Sequence, residues 1–265
     1  MSRTRGAWNT KGTWIAGVAL AAVLALTGYS LLSGDGGGED APAKVGSNPG
    51  ASSPASPSPG YSTPQDWTEP ERWTALPQGQ RTDERSNAVG FPHTAEGAVA
   101  MLAAANSTRI EGEQGVADEQ LRMYHSYFGK GDQSPENAKK IELAAQQTDK
   151  DLAREMGVSP GQPLPPGAYM RTHVVGYKII KRSDGEVSVW LLSSVVQKNG
   201  ETVKERGSYT RTLLAAQWQD GDWKLTTEAT KRALQDTEGQ NKPPMVAPGD
   251  AEFNAGGWTA IRAAS

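Results

Sequence analysis

Hydrophobic positions change their spacing twice along the chain. The run Trp14–Leu32 holds 19 residues with no charge, and only Thr27 and Ser30 are plainly polar. As a helix it would span about 28 Å, close to the hydrocarbon thickness of a bilayer. From Thr94 to Met156 the apolar positions recur at helical spacing. After the break SPGQPLPPG at 159–167 the period falls to about two, the strand spacing.

The helical half predicts three helices. The first runs from Thr94, a side chain suited to N-capping, to Thr108, with the stripe Ala98, Met101, Leu102 and Ala105. The second covers Asp118 to Phe128, with Leu121, Tyr124 and Phe128 on one face. The third has the clearest start: Ser134 caps, Pro135 sits in the first turn, and Glu136 favours the positive end of the dipole. Gly157 closes it.

The second half predicts four strands over Tyr169–Lys181, Glu186–Gln197, Glu201–Trp218 and Trp223–Thr227. Ser183-Asp184-Gly185, Lys198-Asn199-Gly200 and Asp220-Gly221 separate them as hairpin signals. The expected fold class is α+β, three helices followed by a four-stranded antiparallel sheet. Gly176 and Gly207 would let that sheet curve. The result resembles the cystatin-like cone of the nuclear-transport-factor superfamily.

Composition sets the limits of the folded body. Residues 33–64 contain 7 Gly, 7 Ser and 6 Pro, too little apolar surface to offset ordering entropy. The expected organisation is a cytoplasmic tail (1–13), a transmembrane helix (14–32), a disordered linker (33–64), an ordered arm (65–92), the α+β domain (93–230) and a C-terminal tail (231–265). In that tail Phe253, Trp258 and Ile261 are candidates for docking on the domain. A cleaved signal peptide is the rival to an anchor, but no clean Ala-x-Ala site ends the apolar run.

Charge orients the chain and narrows its partners. Arg3, Arg5 and Lys11 precede the apolar run with no acid among residues 1–32, which places the N-terminus in the cytoplasm and the domain outside. The rest holds 24 basic and 30 acidic residues, a net of −6. Phosphate contacts need a basic face, so direct nucleic-acid binding is not expected. The chain has no cysteine, which removes disulfides, thiolate nucleophiles and Cys-ligated zinc.

Catalytic chemistry finds little footing. The three histidines, His93, His125 and His173, form no paired metal-ligand spacing. No nucleophile-elbow, Ser-x-x-Lys or dinucleotide-binding glycine pattern occurs. Neither catalysis nor a cofactor or metal is expected. A pocket between sheet and helices lined by His173, Tyr177 and Tyr209 is the alternative, a ligand-binding or enzymatic domain.

The segments WTALP (73–77) and GFPHTAEGAVAMLAAANSTR (90–109) carry a resemblance. Through Trp73, Pro77, Gly90, Phe91, His93, Thr94, Gly97, Ala98 and Asn106 they resemble an ectodomain family of single-pass membrane proteins from Streptomyces and related actinobacteria, associated with integrative mobile elements. That resemblance implies no activity. Read physically, Gly90 permits a tight turn, Phe91 staples and Thr94 caps, with His93 the candidate functional group. The anchor-linker-domain layout is similar to the bitopic scaffold subunit of type IV secretion systems. It implies an assembly module with membrane or cell-wall partners, compatible with a homo-oligomer and with a role in conjugative transfer. A cell-wall protein unrelated to transfer is the third reading.

Overall fold

A computed structural model describes residues 43–44 and 67–262. The first strands are short: β1 (Ala43–Lys44), β2 (Trp73–Ala75), β3 (Arg81–Thr82) and β4 (Ala88–Val89). Helix α1 (Ala95–Ala105) follows, then β5 (Thr108–Glu111), α2 (Val116–Tyr127) and α3 (Pro135–Glu155). Three long strands form the centre: β6 (Ala168–Arg182), β7 (Glu186–Asn199) and β8 (Arg206–Gln219). The chain continues through β9 (Asp222–Leu225), α4 (Thr227–Asp236), α5 (Ala251–Ala255) and β10 (Thr259–Arg262).

Eight strands make one sheet in the order β1-β8-β7-β6-β10-β2, with β5 also on β6 and β9 also on β8, while β3 and β4 pair separately. β10 runs antiparallel to β6 but parallel to β2, so the sheet is mixed. The tight turn from β8 to β9 needs two left-handed residues, and Asp220 (φ 53°) and Gly221 (φ 80°) supply them. Helix α3 starts as its cap signal dictates: Ser134 Oγ accepts the Asn137 N–H at 3.1 Å. Asp149 on α3 in turn accepts the N–H groups of Val116 and Ala117 at 2.7 and 3.1 Å, completing the exposed donors at the start of α2.

Both faces of the long strands are covered. On one face α1 supplies Ala98, Val99, Met101 and Leu102 to a cluster with Val187, Val189, Leu191, Leu214 and Tyr177. A second cluster joins Val116, Ala145 and Leu152 to Ile110, Met170 and Val195. The opposite face is closed by α4 through Ala229 and Ala233, and by the C-terminal segment through Phe253, Trp258 and Ala260. Gly176 in β6 lies under the Phe253 ring, where an added Cβ would stand 3.2 Å from the ring carbons.

This architecture corrects the expectation of three helices and a four-stranded antiparallel cone. The described residues hold five helices and a mixed sheet. Helix α1 stops at Ala105 rather than Thr108, because Thr108 and Ile110 alternate inward on β5 and pair with Thr172 and Met170. The C-terminal segment inserts β10 between β6 and β2, a pairing set by distant parts of the chain. With the second face covered by α4 and the C-terminal segment, the sheet packs as a middle layer. Among the described residues no helix is long and apolar enough to cross a membrane. The expected transmembrane helix at 14–32 lies outside them, as does the expected linker apart from Ala43–Lys44.

Candidate functional site

The segment Gly90–Thr94 bridges β4 and α1, and one carboxylate organises it. Asp222, 3% exposed at the start of β9, accepts N–H bonds from Gly90 (3.0 Å), Phe91 (3.1 Å) and its own neighbour Trp223 (2.9 Å). Lys224 Nζ stands 3.5 Å away and balances its charge. Gly90 turns the chain with φ +74°, a conformation that favours glycine, and Phe91 drops into the core.

Pro92 is held by its carbonyl. That oxygen accepts from Trp223 Nε1 and from the Thr94 N–H, both at 2.8 Å. Gly97 passes so close that a Cβ there would lie 1.9 Å from the same oxygen. Thr94 Oγ1 accepts the Gly97 N–H at 3.0 Å and caps α1. The His93 imidazole is exposed yet stacked on Trp218, with ring centres 3.9 Å apart and planes 11° apart. It also meets the edge of Trp223 at 5.6 Å, and its Nε2 bonds the Asp184 carbonyl. A shallow cleft of about 210 Å³ opens here between Gln80, Arg81, His93 and Trp218.

Trp73 and Pro77 lie elsewhere. Trp73 packs with the Phe253–Trp258 cluster on the opposite face of the sheet, its Nε1 donating to Glu69 at 2.8 Å and Arg262 lying over its ring. Pro77 is half-buried between β2 and β3. The quoted resemblance thus divides between two places in the fold.

His173, Tyr177 and Tyr209 do not form one pocket. His173 and Tyr209 both register with Ser194, which puts them on the face covered by the C-terminal segment. Tyr177 points to the other face, in the α1 cluster, with its hydroxyl 3.2 Å from Thr74 Oγ1. Burial, then the charge of Asp250, raises the pKa of Tyr209. A cavity of about 460 Å³ on this face is lined instead by Lys178, Lys181, Trp190, Asp236, Gln240 and Asn241, among others.

The sequence reading missed the polar network behind the β3–β4 hairpin. Glu119, 1% exposed, receives Arg122 at 2.6 and 2.8 Å and Gln114 at 2.8 Å. Arg122 also bonds Asn87, which donates to Ser126 at 2.7 Å. Hydrogen bonding to Glu119 raises the Arg122 pKa. Nearby, burial pushes the Tyr127 phenol up to about 12 while its hydroxyl donates to the Ala88 carbonyl at 3.0 Å. An acid and a base three residues apart on a helix read as a solvated surface pair, so burial of Glu119 left no signal in sequence.

Among the described residues no group of three or more His, Asp or Glu is placed to hold a metal ion. What the arrangement around Asp222 does chemically is satisfy backbone donors and fix the approach to α1. No protein of curated function and no solved structure matches the chain. Residues 40–242 match the family described as "Domain of unknown function (DUF8175)", and the chain belongs to that family.

Proposed function

We propose that this protein is a membrane-tethered assembly module. In this reading residues 14–32 cross the membrane once, the N-terminus is cytoplasmic, and the α+β body is held outside to bind other membrane or cell-wall proteins. The observation that carries it is the chain order: a 19-residue uncharged run preceded by basic residues, a Gly/Ser/Pro tract, then a folded body. The use of the body's polar side chains supports it. Asp222, Thr94 and Asp149 are committed to backbone donors, and Glu119 is committed to Arg122. The resemblance of 73–109 to ectodomains associated with mobile elements extends the reading to a conjugation or type IV secretion-like apparatus.

The test is the state of the full chain in its own membrane. After crosslinking in intact cells and extraction in mild detergent, the reading expects a discrete band above the 28.2 kDa chain, containing a specific envelope protein or a second copy. A chain recovered only as an uncrosslinked monomer contradicts it.

A further inference from the structure

The helix-covered face of the sheet is not apolar throughout. Along β7, Val187, Val189 and Leu191 belong to the α1 cluster and Val195 to the second cluster, with Ser193 between them on the same face. Ser193 registers with Thr210 on β8. On β6, Thr172 lies between Met170 of the second cluster and Tyr177 of the first, and it registers with Thr108 on β5. Helix α2 has the same interruption: Val116 joins the second cluster, Met123 the first, and Gln120 lies one helical turn from each. A polar seam therefore runs between the two apolar clusters, across the sheet and on the helix above it.

Five polar atoms along the seam have no protein partner. Gln120 is 0% exposed, Thr172 4%, Thr108 6% and Thr210 7%. Neither the Nε2 nor the Oε1 of Gln120 is hydrogen-bonded within the protein, nor is the Oγ1 of Thr108, Thr172 or Thr210. Buried amides and hydroxyls are nearly always satisfied, because an unmade bond in a low-dielectric interior costs more than a made one returns. Thr210 stands two strands from Thr172 and three from Thr108, beyond the reach of one small molecule, so the four atoms of Gln120, Thr108 and Thr172 are the set that can share a partner. The seam carries no ionisable side chain, and the adjacent Glu119 is taken by Arg122 and Gln114. A neutral guest fits this set, whereas an ion would be left without a countercharge.

We infer that this seam is a closed site for a small neutral guest that both donates and accepts hydrogen bonds, with the Gln120 amide as its anchor. Two sources share that chemistry: buried water, and a small neutral organic molecule such as a polyol or primary amide.

The experiment uses the full chain in detergent micelles. Cross-relaxation from the Gln120 side-chain amide protons is recorded by nuclear magnetic resonance, alongside the melting temperature of Thr172→Val. The inference expects cross-peaks to a guest and a melting temperature lower by about 2–4 °C, since valine removes a hydrogen bond to it. Cross-peaks at the water frequency identify water. Cross-peaks to non-exchanging protons, matched by a neutral molecule extracted from the denatured protein, identify the organic guest. Cross-peaks to protein protons alone overturn the inference, and so does a Thr172→Val chain that melts higher, because removing a truly unpartnered hydroxyl would stabilise the fold.

Discussion

Two buried polar regions sit in the same domain and behave in opposite ways. Around Asp222 the carboxylate, the indole Nε1 of Trp223 and the carbonyl of Pro92 are each bound within the protein. In the seam around Gln120, an amide and three hydroxyls are not. The first region carries the motif that stands out in the sequence, and its geometry is that of a fastening. The second carries no motif, and its geometry leaves binding capacity unspent. A conspicuous pattern of Gly, aromatic, His and Thr can mark a demanding piece of backbone, while a binding site can be built from residues that look ordinary in sequence.

The comparison breaks most readily at Asp222. Asp222→Ala leaves three backbone donors without their acceptor and should cost about 4 kcal/mol in denaturant unfolding of the full chain. A loss under about 1 kcal/mol would mean that the carboxylate is not the fastening. Tyr127 offers a reading through pH. Its phenol loses a proton near pH 10 when unfolded and only near 12 when folded. The folded pKa is raised, so its contribution is complete below pH 10 and falls as pH climbs towards 12. The loss should reach about 2–3 kcal/mol, and a pH series on Tyr127→Phe should lack that part of the decline.

Gly97→Ala sharpens the geometry. Alanine favours helices, yet its Cβ would meet the Pro92 oxygen at 1.9 Å, so the variant should lose about 2 kcal/mol instead of gaining. Thr94→Ala should cost about 1 kcal/mol, the worth of one N-cap, and thermal melting reads it. His93→Ala should cost least, at or below about 0.5 kcal/mol, because the ring is exposed and water can replace its hydrogen bond to the Asp184 carbonyl, leaving mainly its contacts with Trp218 and Trp223 to lose. If His93→Ala instead destabilised as much as Asp222→Ala, the imidazole would be part of the fastening.

Much of the local structure was legible. Ser134, Pro135 and Glu136 mark the start of α3 because capping is decided by neighbouring residues. Asp220-Gly221 marks the β8–β9 turn for the same reason. Contacts between distant segments were not legible. β10 takes its place from pairing with β6 and β2, and Ala260 registers with Trp73 far earlier in the chain. Phe253 and Trp258 stand out in the sequence as docking residues and are buried, but the surface that receives them, the sheet's second face, is not announced by the local pattern of their Gly- and Pro-containing segment. The partners of His93 are as remote: Trp218 and Asp184 follow it by more than ninety residues. Gln120 stayed hidden because one polar residue on an amphipathic helix reads as solvated, and only the sheet above it shows that it is enclosed.

In the proposed arrangement the folded body stands outside the cell, held by residues 14–32. The chain has no cysteine, so a single Ser183→Cys in the exposed β6–β7 turn gives one addressable thiol. Treated on intact cells with a membrane-impermeant maleimide, that variant should label to the same extent as after lysis. Labelling that appears only once the cells are broken would place the body inside and contradict the account.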